Sequence, residues 1–315
     1  MKLVYFGTPE FAVLPFNALL DAGHEVMAVV TQPDRPSGRG RQLKPCPVKK
    51  EAQKTGIMIL QPLKVRDQEF IGTLRALNPT AIVVAAYGQI LPSEIIHMPQ
   101  IGCVNIHASL LPAYRGAAPI NWAIINGDVK TGITTMMMDE GMDTGPVLLQ
   151  KETEITSEDT AGRLSIRLSA IGADLLLQTL NGLESGDVRP VPQAGEVSYA
   201  PLLKKDDGCI DWSKSAEEIS RFINGMNPWP GAYSMLENER IKIIKAVSLE
   251  GSAEAGVIDM AGKEDLIVGA GSGRLSILEI QPSGKGVMPV KAYLQGRRLR
   301  EGMRFGILKP ETDKH

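Results

Sequence analysis

The sequence predicts a doubly wound α/β domain built on a parallel sheet, followed by a small β-rich domain. Three observations carry that expectation. Apolar runs of strand length alternate with stretches of helical periodicity from the N-terminus to about residue 181. A stretch with little periodicity, rich in Gly, Pro and polar residues, follows at 182–205. Beyond it, short alternating runs between Gly-rich turns take over. At 315 residues the chain exceeds the roughly 250 that one hydrophobic core usually reaches, so two domains are expected.

Residues 2–6 read as a buried strand that turns at Gly7-Thr8-Pro9. Residues 11–20 have helical spacing, with Phe11, Leu14, Ala18 and Leu19 on one side, and Gly23 ends that helix. A second apolar strand at 25–30 completes a βαβ unit, hence a parallel pair. Strands at 58–60, 81–86 and 103–107 and helices at 67–77 and 117–126 continue the alternation. Strands at 131–138 and 147–153 close the sheet, and a long helix covers 157–181. In the second part, 216–226 is helical and 240–247, 256–260, 265–268 and 275–280 are short strands, as in a small barrel or sandwich. The expected boundaries are a first domain at 1–189, a linker at 190–205 and a second domain at 206–315. The first βα turn lacks GxGxxG, and Pro9 removes a donor from any anion-binding nest, which speaks against a dinucleotide.

Composition excludes several classes. With 43% apolar and 22% charged residues the chain has the balance of an ordinary globular protein rather than a disordered or fibrous one. Gly7, Pro9 and Glu10 interrupt the N-terminal apolar run too early for a signal peptide. The longest apolar stretches are strand-length, so no membrane association is expected. Cys46, Cys103 and Cys209 are scattered, odd in number and without metal-ligand spacing, which fits a reducing cytoplasm and no metal. The net charge of −2 argues against wholesale nucleic-acid binding. With no apolar patch or coiled-coil pattern, a monomer is expected.

Of the four histidines, His24 and His97 suit surface, capping or packing roles, and His315 is terminal. His107 stands at the C-terminal end of a parallel strand, the edge where open α/β sheets bind ligands. Strand alternation puts Asn105 on the same face. An unpaired buried polar group costs about 1–3 kcal/mol, so two of them require partners, structural or chemical. The non-helical loop 109–116 follows directly, and the acidic, Gly-punctuated loop 138–145 follows another apolar strand. Adjacent strand ends would bring Asp143 to His107, where a carboxylate favours and orients an imidazolium. An amide, a histidine and a carboxylate without a Ser or Cys nucleophile suit acyl transfer by direct attack of an amine.

Asn105-x-His107 running into Ser109-Leu110-Leu111-Pro112-x-Tyr114-Arg115-Gly116, with Asp143 in Met142-Asp143-Thr144-Gly145, resembles the signature of the folate-dependent formyltransferases, and the resemblance spans nearly the whole chain. It implies a Rossmann-like N-terminal domain and an OB-like β-barrel. It implies 10-formyltetrahydrofolate as co-substrate and Asn105, His107 and Asp143 as catalytic residues. Asn105 and protonated His107 would stabilise the oxygen of a tetrahedral intermediate, where one donor is worth roughly 3–4 kcal/mol. Asp143 would orient His107 and help move the proton from amine to folate nitrogen. The folate contacts would be Ser109, Leu110, Leu111 and Pro112, which match the family's folate-binding stretch, with Leu91, Pro92 and Asp139 on neighbouring loops.

Residues 33–50, PDRPSGRGRQLKPCPVKK, are too long for a tight βα connection and rich in Gly, Pro and positive charge. Such a loop is either a solvated surface or a mobile basic finger that contacts an RNA helix end. The tRNA-formylating members of the family carry a similar loop that reads the acceptor stem. That resemblance implies an initiator methionyl-tRNA as partner and Arg39, Arg41 and Lys44 as its contacts. Lys291, Arg297, Arg298, Arg300 and Arg304 add a basic region to a domain type that often binds nucleic acid. Asn227-Pro228-Trp229-Pro230-Gly231 resembles the family's entry into that domain. A formyl-folate hydrolase or a sugar-nucleotide formyltransferase would keep the same three catalytic residues. A non-catalytic RNA-binding module would leave the Asn-x-His pair unexplained.

Overall fold

Alternating β-branched and aromatic residues in β1 (Lys2–Gly7) send Val4 and Phe6 to one face of a sheet and Leu3 and Tyr5 to the other. In a computed structural model that describes residues 1–37 and 42–306, two compact units separate. The first comprises Met1–Pro119, Lys130–Glu154 and Ser165–Ala200. The second takes Ile120–Val129, Ile155–Leu164 and the chain from Pro201 onward.

In the first unit, α1 (Val13–Asp21), β2 (Glu25–Val30), the short β3 (Arg35–Ser37) and β4 (Gln42–Lys44), α2 (Pro47–Thr55) and β5 (Met58–Leu60) follow β1. Next come α3 (Gln68–Leu77), β6 (Ala81–Ala85), α4 (Ser93–Ile96), β7 (Gly102–His107) and the two-residue β8 (Arg115–Gly116). After α5 (Pro119–Asn126), most of which belongs to the second unit, come β9 (Lys130–Met137), β10 (Val147–Glu154), α6 (Ala161–Ser185) and β11 (Tyr199–Ala200). Seven strands form one sheet in the order β10-β9-β7-β6-β1-β2-β5. The five from β7 to β5 are parallel, β9 runs antiparallel to them, and β10, antiparallel to β9, runs in their direction again. The sheet is therefore mixed rather than wholly parallel. The chain passes from β9 to β10 through the loop 138–146 with no crossover element, as an antiparallel pair permits.

Helices cover both faces, as a doubly wound sheet requires. Phe6, Val30, Ile82, Val84 and Cys103 pack with Phe70, Ile71 and Leu74 of α3 and Ile95 and Ile96 of α4. On the other face Tyr5 lies against Phe16 of α1, ring centroids 5.5 Å apart. Leu14, expected on the buried side of α1, is exposed. A 3-10 turn at Glu10–Ala12 shifts the helical phase so that Pro15, Phe16 and Leu19 face inward.

The basic segment, expected to be an irregular loop, begins and ends as an antiparallel ribbon with Arg35 opposite Lys44 and Ser37 opposite Gln42. Its base is pinned. Lys49 donates to Asp34 and Gln61, each at 2.6 Å, and Gln61 donates to Asp34 at 3.0 Å.

In the second unit, α7 (Ala216–Gly225) starts at a capping box in which Ser215 and Glu218 satisfy each other's backbone N–H. It buries Ile219 and Ile223. Strands β12 (Tyr233–Leu236), β13 (Glu239–Leu249), β14 (Ile258–Ala261), β15 (Leu266–Gly269), β16 (Arg274–Pro282), β17 (Met288–Pro289) and β18 (Phe305–Gly306) form a curled antiparallel sheet, ordered β14-β15-β16-β13-β12-β18 with β17 on β16. Helix α8 (Val290–Gln295) follows β17. This is the OB-like half-barrel the sequence suggests. Among the described residues no helix is long and apolar enough to cross a membrane.

Candidate active site

β7 lies inside the sheet between parallel β6 and antiparallel β9, and its inward face changes character along its length. Cys103 belongs to the apolar core, whereas Asn105 and His107, two and four residues on, project from the same face at the carboxyl edge. Asn105 is 9% and His107 6% exposed. His107 stands opposite Thr134 of β9, and Asn105 opposite Met136.

Both imidazole nitrogens are engaged. His107 Nε2 lies 2.9 Å from the Tyr114 carbonyl, which can only accept, so Nε2 carries a hydrogen. His107 Nδ1 faces Asp143 Oδ2 at 3.6 Å. The same carboxylate oxygen accepts the Gly116 N–H at 2.8 Å. The carboxylate is thus fixed by a backbone amide, and Nδ1 is the ring atom with room for a proton in transit.

Several residues here have left-handed backbones: Ala86 at φ 49°, Tyr114 at 59°, Asp143 at 53° and Gly116 at 125°. For non-glycine residues such angles are unusual and persist where surrounding bonds over-determine them. Only glycine serves at 116, because a Cβ there would lie 2.6 Å from the Ala200 carbonyl oxygen.

Residues 86–91 line two hollows, the first of which reaches Asp143. The first, of about 220 Å³, is walled by Gln89, Ile90, Leu91, Ile96, Met136, Met138 and the loop from Asp139 to Asp143. The second is an open cleft of about 500 Å³ beneath the basic ribbon, with Thr8, Pro9, Gln32, Arg35, Lys44 and Tyr87 in its lining.

Of the expected folate contacts, Leu91 and Asp139 stand together in the first hollow. Pro92 precedes it as the N-cap of α4. The stretch from Ser109 to Pro112 is a pinned turn with a cis Leu111–Pro112 bond. The Ser109 hydroxyl donates to Ala113 O, and the buried Thr134 hydroxyl donates to Ser109 O while accepting Leu111 N–H. Gln150 caps the turn through Leu111 O at 2.9 Å. In this structure Ser109 and Leu111 are engaged in holding the turn, while Leu110 packs toward Gly132. Lys44 is exposed on the ribbon. Arg39 and Arg41 lie outside the described residues.

Sequence reasoning missed Gln193, Thr134 and Gln150. Gln193 sits in an aperiodic stretch where only pairing across distant segments gives it meaning. It also missed acids facing the C-terminal basic region: Lys291 pairs with Glu264, Arg297 with Glu239 and Arg304 with Glu254. These partners neutralise much of the positive patch the local composition suggests. Among the described residues no group of three or more His, Cys, Asp or Glu side chains could hold a metal ion.

An amide and an imidazole on β7, a carboxylate on the loop after the neighbouring strand β9 and an adjoining apolar hollow stand together at the edge of a Rossmann-like sheet. The chain belongs to the formyl transferase family: residues 1–180 match the formyl transferase domain and 202–298 its C-terminal domain. It is 52% identical over 301 residues, 96% of this chain and 97% of the relative, to the methionyl-tRNA formyltransferase of Thermodesulfovibrio yellowstonii. Among solved structures it resembles the methionyl-tRNA formyltransferase from Clostridium thermocellum, with TM-score 0.55, 18% identity and coverage of 78% of this chain and 93% of that one. It also resembles HypX from Aquifex aeolicus in complex with tetrahydrofolic acid, with TM-score 0.65 and 16% identity; 98% of this chain is covered but only 50% of that one.

Proposed function

We propose that this protein transfers the formyl group of 10-formyltetrahydrofolate to the α-amino group of methionyl-tRNA, with the initiator tRNA as its acceptor. The observation that carries this reading is the convergence of Asn105, His107 and Asp143 at one sheet edge beside an apolar hollow. Identities of 52% and 48% over nearly the full length to two methionyl-tRNA formyltransferases support the acceptor. We take the enzyme to act as a cytoplasmic monomer.

The first hollow suits the ring end of the donor. Its walls are Ile90, Leu91, Ile96, Met136 and Met138, and its acidic rim around Asp139 and Glu140 offers acceptors to a polar ring edge. At about 220 Å³ it is smaller than the roughly 300–1,000 Å³ that encloses a whole drug-sized ligand, so the rest of the donor lies outside it. The donor supplies an activated formyl carbon. Asn105 donates an amide N–H to the oxygen where negative charge develops. His107 adds its Nδ1 proton, since Nε2 is held by Tyr114. Asp143 steadies that proton, receives the one released by the attacking amine and passes it to the folate nitrogen as the bond from that nitrogen to the formyl carbon breaks and tetrahydrofolate departs. The open cleft receives the aminoacyl end, with Arg35 and Lys44 at its rim beside the acceptor's phosphates. Arg39 and Arg41 belong to the same contact in this reading.

The test is transfer of labelled formyl from 10-formyltetrahydrofolate to methionyl-tRNA, run beside His107→Ala. Transfer that falls by two orders of magnitude or more, about what one oxyanion donor contributes, is the expected result. Donor consumption that depends on His107 without any label reaching tRNA moves the acceptor to water or a sugar amine.

A further inference from the structure

The chain between α6 and Pro201 does more than connect. Residues 191–200 run back along the catalytic edge, and within this stretch Gln193, Ser198 and Ala200 are the residues that are not exposed. Each of the three reaches a catalytic loop. Gln193 Nε2 donates to the carbonyls of Asp143 and Gly145, both at 2.8 Å. Its Oε1 accepts from Arg115 Nη2 at 2.7 Å and Nε at 3.2 Å. Ser198 accepts the Tyr114 N–H through its hydroxyl and the Arg115 N–H through its carbonyl, each at 2.9 Å. Ala200 O accepts the Ala117 N–H at 2.9 Å.

Both partners of the imidazole are therefore held from one strap. Tyr114, whose carbonyl takes the Nε2 hydrogen, is fixed by Ser198. Asp143, which faces Nδ1, is fixed by Gln193. We propose that Gln193 is a positioning residue for the formyl transfer: its amide holds Asp143 in the left-handed backbone that aims the carboxylate at His107, and the strap 191–200 sets the imidazole's stance through both nitrogens. This rests on the reading of Asn105, His107 and Asp143 as the reacting centre.

The alternatives differ in chemistry. A strap that only stabilises the fold needs the Arg115–Gln193 link but not the two bonds to Asp143 and Gly145. Gln193→Glu separates these roles, because a carboxylate still accepts from Arg115, now as an ion pair, yet has no N–H to donate. A displacement of about 1 Å at a reacting group can cost roughly 100-fold.

The experiment measures kcat and KM for donor and methionyl-tRNA, and the melting temperature, in the full-length enzyme. The variants are Gln193→Glu, Asp143→Asn and the double variant. The expected result for Gln193→Glu is a kcat lowered about 10–100-fold, both KM values within about twofold and an unchanged melting temperature. In the Asp143→Asn background the same change is expected to cost less than about threefold, because the residue acts through that carboxylate. A Gln193→Glu enzyme at full rate, or losses that multiply in the double variant, overturns the proposal while leaving the catalytic reading intact. Asp143→Asn at full rate overturns that reading, and the proposal with it.

Discussion

His107 meets a carbonyl at one nitrogen and a carboxylate at the other, and in the proposed transfer those two contacts decide which ring atom exchanges protons. The carbonyl of Tyr114 can only accept, so the Nε2 hydrogen is committed, and we propose that the Nδ1–Asp143 pair does the acid–base work. Replacing Asp143 by Asn would keep a side chain of similar shape that accepts Gly116 N–H but takes no proton. We expect kcat to fall with KM for the donor little changed, as steady-state kinetics would reveal; unchanged kcat would remove Asp143 from the chemistry. Beside the ring, Thr134 is completely buried and its hydroxyl serves Ser109, Leu111 and Gln150. Thr134→Val keeps the volume but leaves those groups without their partner, at a cost of about 1–3 kcal/mol. The denaturant midpoint should drop with its slope unaltered.

Among the elements, the basic ribbon shows how a charged segment is given a fixed base. Asp34 lies at its foot, and hydrogen bonds from Lys49 and then Gln61 hold its carboxyl below the ordinary aspartate value despite some desolvation. A lowered folded-state value means that the clamp contributes fully above about pH 4 and is lost only as the pH falls below it. Lys49→Met should raise KM for methionyl-tRNA several-fold near neutral pH while leaving KM for the donor unchanged. Equal KM values for tRNA in variant and parent would show that the clamp does not set the ribbon's stance.

Legibility in the sequence followed the range of the interactions. Strands such as β6, fully buried from Ala81 to Ala85, announce themselves because burial on both faces demands an unbroken apolar run. Asn105 and His107 were readable for the opposite reason, as two polar residues on an apolar strand. What stayed hidden depends on partners far along the chain. The exposure of Leu14 follows from a local turn that shifts helical phase, and the antiparallel direction of β9 follows from its pairing with β7. The acids that meet Lys291, Arg297 and Arg304 lie at least 27 positions away, beyond any local composition window.

For the whole molecule, charge distribution matters more than the net value of −2. With much of the C-terminal basic region paired to acids, the ribbon carries a larger share of the positive field offered to RNA. Contacts to phosphates release counterions, so tRNA affinity should fall steeply with salt, whereas the donor, whose ring end we propose enters the apolar hollow, should respond far less. Between 50 and 200 mM salt we expect KM for tRNA to rise by about an order of magnitude or more. Lys44→Ala should reduce the log–log slope by about one. A slope that Lys44→Ala does not change would place the phosphates elsewhere.

The strap 191–200 comes after the whole sheet in the order of synthesis. As the chain leaves the ribosome, the seven strands and α6 are complete before Gln193 and Ser198 emerge. The nascent protein therefore has its fold before it has its catalytic alignment. An unfinished chain would be a folded sheet with a slack imidazole, poorly able to consume donor before the main part of the second unit, from Pro201 onward, is on its way.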